Sequence, residues 1–193
     1  METAELEKIR CADFSLALTL DSGQVFQWEP HGAGFVGSIG DLPVYAEQRG
    51  DELLVTRGTA SQAAHYFALD HPLVEICAAF PNDPAMLAAR DYCRGLRIMR
   101  QPTWECLASF ITSSMKQVAH IRQMSRALRE RFGTRRIVYG THVYPYPSAA
   151  RIAAASEQEL RACGLGYRAK NLLLTAQRVS SGEADLEAGR HLP

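Results

Sequence analysis

The sequence predicts an α+β fold in which a small antiparallel sheet comes first and helices follow. Three observations carry this expectation. Glycines at 32, 34, 37, 40 and 50 punctuate short β-prone runs early in the chain. From Ala60 onward the apolar residues fall at helical spacing. Near Leu96 the charge changes sign: residues 1–95 hold 6 Lys and Arg against 14 Asp and Glu, whereas residues 96–178 hold 14 against 4. With 193 residues, 47% of them hydrophobic, the chain is long enough to bury a core.

The first residues, METAELEKIRCADF, are acidic and polar and read as a leader without a signal peptide. FSLALTL alternates large and small residues up to the turn trio Asp21-Ser22-Gly23, which predicts a strand and a turn. QVFQW resumes the alternation, with Val25 and Gln27 on one face and Gln24, Phe26 and Trp28 on the other. FVGSI, PVYAEQ and ELLVTRG then predict antiparallel hairpins.

Helices follow across residues 60–96, interrupted at Asp70-His71-Pro72 and at Pro81-Asn82-Asp83-Pro84. Pro102 suits a first helical turn, and Leu107, Phe110 and Ile111 form its apolar stripe. Val118, Ile121, Ser125, Leu128 and Phe132 mark one face of an amphipathic helix; His120, Arg122, Arg126 and Arg129 mark the other, and Gly133 ends it. Tyr144-Pro-Tyr-Pro reads as a rigid loop and Ser148 as a cap. Ser156 with Glu159 reads as a capping box for a helix ending at Gly164, and a last helix runs from near Tyr167 to Gly182. The domain boundary is placed at the change of charge, giving 1–96 and 97–193.

Five cysteines at scattered spacing, with no C-x-x-C, argue against a disulfide framework or a zinc site. Apolar runs such as Ile152–Ala155 are far too short to span a membrane. A soluble, monomeric, intracellular protein without metal or cofactor is expected. The net charge of zero hides a front of −8 and a middle of +10, and such a middle suits a polyanion.

The most distinctive stretch is CGLGYRAKN, residues 163–171. Two glycines bracket Leu165, and Tyr167-Arg168 open the next helix. Such a tip can bring backbone amides and an aromatic ring close to a partner. Spacing alone favours an αα-turn, with Tyr167 in the core and Arg168 in solvent.

GLGYRAK, LTLDSGQVFQW and MRQPTWECLASFITSS, in that register, together resemble the 8-oxoguanine DNA glycosylases of the helix-hairpin-helix superfamily. YFALD and Arg100-Gln101-Pro102 follow the same order. The resemblance implies a small antiparallel sheet subdomain of the TATA-binding-protein type, followed by an all-α glycosylase domain truncated at the start of the helix-hairpin-helix. It implies base-excision repair of an oxidised purine, with AP-lyase activity in the complete enzyme. The partner would be double-stranded DNA with a damaged base, in the nucleoid or, in a eukaryote, the nucleus.

Residue by residue, Gly23 matches the glycine whose carbonyl accepts the N7–H of an oxidised guanine; read by itself it is a hairpin-turn glycine. Tyr167 matches the wedge that fills the gap left by a flipped base, and Arg168 a reader of the orphaned cytosine. Lys116, Gln117, His120 and Lys170 fall at DNA-contact positions. The pattern departs at Met115-Lys116-Gln117 and at His120, where members like the eukaryotic enzyme carry asparagines and an arginine. Strict cytosine discrimination is therefore not expected, and Lys116 suits phosphate instead. The family's nucleophilic lysine and catalytic aspartate have no counterparts among these residues. Leu192-Pro193 match the first two residues of the hairpin, so the chain is expected to be inactive alone. The alternative is a catalytically silent damage-binding module.

Overall fold

The computed structural model describes residues 5–188. The chain divides into two compact units. One comprises the chain up to residue 36 with 44–100 and 138–141; the other comprises 37–43, 101–137 and the chain from 142.

The expected antiparallel sheet is present, most of its residues belonging to the first unit. Its strands are β1 (Leu6–Arg10), β2 (Glu29–His31), β3 (Gly34–Ile39), β4 (Leu42–Arg49) and β5 (Glu52–Thr56), in the spatial order β1-β5-β4-β3-β2. Strands β3, β4 and β5 are the three expected hairpin segments. Strand β1 lies in the acidic leader, for which no element was expected, and pairs antiparallel with β5, Leu6 opposite Thr56 and Arg10 opposite Glu52. Its exposed Lys8 meets Glu52 at 2.9 Å, a charged finish that suits the sheet edge.

FSLALTL is a helix, α1 (Leu16–Asp21), where a strand was expected. Ser15 caps it by accepting the Leu18 amide, and the small-large alternation ends up burying Leu16, Thr19 and Leu20 together. Residues 24–28 form no strand either. Gln27 is buried because its amide nitrogen donates to the Tyr66 hydroxyl at 3.1 Å, and Trp28 Nε1 donates to the same oxygen at 3.2 Å. Rings of Phe14, Trp28, Tyr66 and Phe67 pack against one another at the end of α2 (Ala60–Tyr66). Gly95 has φ +83, and a Cβ there would lie 2.8 Å from the Ser15 amide nitrogen, so only glycine admits this crossing. Helices α3 (Leu73–Ala78) and α4 (Pro84–Tyr92) are present as expected, α4 capped by Asp83. Val74, Ile76, Phe80 and Ile98 remain exposed around a cavity of about 630 Å³.

The second unit is mainly helical. Helix α5 (Thr103–Ser113) follows Pro102, and α6 (Val118–Phe132) ends at Gly133 as expected. Gly133 is extended rather than left-handed, and its role is spatial: a Cβ would lie 2.4 Å from the Pro145 carbonyl. Arg129, expected on the solvated face of α6, is buried and donates to the Tyr144 carbonyl. A hairpin that sequence reading did not foresee, β6 (Arg136–Val138) and β7 (Thr141–Val143), turns through Tyr139-Gly140. Ser148 caps α7 (Ala149–Ala153), and Ser156 with Glu159 forms the expected capping box of α8 (Glu157–Leu160). A π-turn over Arg161–Leu165 leads to α9 (Arg168–Ser180). Ile152, Leu160, Leu165 and Leu172 are fully buried in one cluster, each worth roughly 1.5–3 kcal/mol of burial. No helix among the described residues is long and apolar enough to cross a membrane.

Candidate nucleic-acid interface

In the helical unit two helix starts stand out, and one side chain joins the second of them to the end of α5. Helix α5 stops at Ser114 (φ −48, ψ 125), and Met115 follows with φ +53, a conformation that a long side chain seldom adopts. Met115 is 92% exposed, and Lys116, Gln117 and His120 beside it are exposed as well. Gln117 is the N-cap of α6 but makes no side-chain cap, and the first turn of α6 holds no acidic residue.

The second start is the turn of CGLGYRAKN. Gly164 (φ +85) and Gly166 (φ +58) reverse the chain on either side of Leu165, which is fully buried. Anchored by that leucine, the turn throws Tyr167 outward to 56% exposure. Helix α9 begins at Arg168, again with no side-chain cap and no acidic residue in its first turn; Lys170 is exposed on it. Each helix start therefore presents amide N–H groups, a positive dipole end and a basic or imidazole side chain at its third position. That is the arrangement that holds phosphate oxygens.

Arg168 departs from the solvated arginine of a plain αα-turn. It is neither solvated nor extended outward: it is 4% exposed. Its Nε donates to the Ser114 carbonyl at 2.8 Å, Nη2 donates to the same oxygen, and its guanidinium lies 4.4 Å from the Tyr167 ring centroid. The bond ties the end of α5 to the start of α9. Sequence reading missed Ser114 because the functional atom is a backbone carbonyl, which no motif reports.

Gly23 lies in the sheet unit, after α1 rather than within a hairpin. It has φ +83, with nothing within 4 Å of where a Cβ would sit, so the backbone conformation and not crowding calls for glycine. Ser22 Oγ donates to the Thr19 carbonyl at 2.7 Å. Gln24, another residue not singled out from sequence, clamps the other side. Its Nε2 donates to the Arg97 carbonyl at 2.9 Å, and its Oε1 accepts the Met99 amide at 3.0 Å. Arg97 in turn is buried and donates to the carbonyls of His71 and Asp13. The Gly23 turn is thus held on both sides while the glycine itself stays half-buried. Leu192 and Pro193, matched to the hairpin start, lie outside the described residues.

Residues 8–107 match the family described as 8-oxoguanine DNA glycosylase, N-terminal domain. The chain is 31% identical over 188 residues to the N-glycosylase/DNA lyase OGG1 of Arabidopsis thaliana, covering 90% of this chain and 51% of that protein. Among solved structures it resembles MBOgg1 in complex with low affinity DNA ligand, with a TM-score of 0.89 and 29% identity over 96% of this chain and 66% of that one. It also resembles the Clostridium acetobutylicum 8-oxoguanine glycosylase/lyase in complex with dsDNA containing cytosine opposite 8-oxoG. There the TM-score is 0.87 and the identity 25%, over 100% of this chain and 70% of that one. The chain thus spans about half the length of the Arabidopsis relative.

Proposed function

The chain belongs to the 8-oxoguanine DNA glycosylase family, and from that premise we propose that it is the duplex-gripping and lesion-sensing portion of an oxidised-purine glycosylase. The complete enzyme would join base removal to AP-lyase chemistry, as the names of the relatives suggest. The single observation that carries the reading is the outward Tyr167 at the start of α9, a helix start that, like that of α6, no side chain caps.

On this reading phosphates flanking the lesion dock at the starts of α6 and α9, assisted by Lys116 and Lys170. Gln117 and His120 lie along the same edge. Tyr167 enters the stack when the damaged nucleotide swings out. Unstacking costs a few kcal/mol, and a ring in the gap offsets part of it. The Gly23 carbonyl accepts the N7–H that an oxidised guanine has and guanine lacks. Guanine would set its N7 lone pair against that carbonyl, leaving two acceptors unpaired at a cost of about 1–3 kcal/mol. Met115 offers the opposite base apolar contact in place of amide hydrogen bonds, which supports a relaxed choice of opposite base.

By itself the chain is proposed to bind without cutting. A Schiff-base nucleophile needs an amine taken out of water. The sequence has three lysines: Lys8 is exposed and paired with Glu52, and Lys116 and Lys170 are exposed. Borohydride treatment with an 8-oxoguanine duplex should leave no covalent adduct. A trapped species would refute the inactivity, and absence of any binding to the duplex would refute the reading as a whole.

A further inference from the structure

We infer that Gln24 is a positioning residue that sets lesion specificity: its side-chain amide fixes the backbone that carries the Gly23 carbonyl. The inference rests on the proposed reading of that carbonyl as the acceptor of the lesion's N7–H, and adds the device that lets the acceptor discriminate.

A single peptide carbonyl separates two bases only when it cannot move. A mobile one turns away from guanine's N7 lone pair, so the misfit costs little, and it must be ordered before it can serve the lesion. Glycine at φ +83 fits the turn but does not hold it, because no residue has a wider choice of backbone conformations. The holding comes from a closed circuit of hydrogen bonds. The Arg97 amide donates to Thr19 Oγ1 at 3.2 Å, and the Arg97 carbonyl accepts Gln24 Nε2 at 2.9 Å. Gln24 Nε2 also donates to Ser22 Oγ at 2.8 Å, and Ser22 Oγ donates to the Thr19 carbonyl at 2.7 Å. Gln24 Oε1 adds a further tie by accepting the Met99 amide at 3.0 Å. Residues 97–99 form no strand, so one planar side-chain group supplies the pairing that a neighbouring strand would give the Arg97 carbonyl and the Met99 amide. The far side of the circuit is anchored: Thr19 is fully buried, and Arg97 is 5% exposed with its guanidinium on the His71 and Asp13 carbonyls. Gly23 lies inside the circuit, contributes no hydrogen bond to it, and so keeps its carbonyl for a ligand. The task needs glutamine, since glutamate lacks the N–H donors and asparagine is shorter by a methylene.

The test uses the chain itself with labelled duplexes carrying 8-oxoguanine or guanine opposite cytosine, and reads affinity by anisotropy. Gln24→Met keeps the length of the side chain and removes its hydrogen bonds. It should lower the preference for 8-oxoguanine over guanine by roughly tenfold and leave affinity for the guanine duplex within about twofold. Ser22→Ala removes one link and should lower the preference by about threefold. The double variant should do no worse than Gln24→Met alone, because a circuit broken once is already open.

An unchanged preference in Gln24→Met would overturn the inference. Equal losses on both duplexes would reduce Gln24 to a fold-stabilising role and overturn it too, as would losses that simply add in the double variant. Should Gln24→Met fail to fold, the preference of Gln24→Glu, which keeps an acceptor for the Met99 amide and loses both donors, decides between the same outcomes. If the wild-type chain shows no preference for 8-oxoguanine, the lesion-sensing reading of Gly23 fails and takes the inference with it. If Gln24→Met keeps the wild-type preference while Gly23→Val loses it, only the positioning role fails.

Discussion

The two turns that carry this chain's proposed function work in opposite ways. At Gly23 the useful group is backbone: a glycine at φ +83 with open space where a side chain would begin, held by Ser22 and Gln24 on either side. At Gly164–Arg168 the useful group is a side chain, and the glycines serve to bury Leu165 and turn Tyr167 outward. The first turn disfavours a side chain at its working residue through backbone conformation alone, and the second depends on two. A contact that separates a lesion from its parent base by one proton needs a fixed acceptor, whereas a wedge needs bulk and support.

Substitutions can break this comparison, the largest effect coming from the anchor. Leu165→Ala should cost about 2–5 kcal/mol of stability in a denaturant melt, since a fully buried leucine leaves a cavity inside the cluster. A loss below that range would mean the turn is held by its glycines alone. Tyr167→Ala comes next. Stability should be unchanged, because the ring is 56% exposed, while duplex affinity falls by roughly 10–100-fold, the worth of one stacked ring. Gly23→Val should act on selectivity: a residue other than glycine at positive φ costs about 1–2 kcal/mol. The preference for 8-oxoguanine over guanine should then drop by about tenfold, while affinity for undamaged duplex holds. An equal loss on both duplexes would erase the distinction between the two turns. Lys116→Ala and Lys170→Ala should have the smallest effects, lowering affinity for every duplex alike and reducing the salt slope by about one unit each.

The capping box sharpens the acid behaviour of the wedge side. Hydrogen bonds from the Ser156 backbone and hydroxyl, and then Arg131, hold the Glu159 carboxyl below its ordinary range. A depressed carboxylate stabilises the fold above its ordinary pKa and loses that contribution as pH falls through the lowered value. Ser156→Ala should therefore lower the melting temperature at neutral pH and lower it less in acid, measured as melting temperature against pH.

Much of the helical unit was legible because its signals are local. The Ser148 cap, the Ser156–Glu159 box and the Gly164–Gly166 turn each involve residues within one turn of one another. The sheet unit was less legible. FSLALTL has the alternation of a strand, yet Ser15 caps it as a helix because Leu16 and Leu20 pack on one side. β1 was hidden in a polar leader because half of an edge strand's residues face water. Arg129 and Arg168 look alike in sequence to solvated arginines; both are buried by carbonyls supplied from Tyr144 and Ser114, 15 and 54 positions away.

The sequence by itself determined the sheet-then-helix order, the partition of charge, the caps, and the family through motifs carried in register. These follow from residue type and short spacing, which the chain states directly. The tertiary structure alone decided that Tyr167 points out while Arg168 turns in, and that Gln24 rather than a hairpin holds the Gly23 turn. Those outcomes depend on backbone oxygens brought near by packing, and a backbone oxygen has no letter in the sequence.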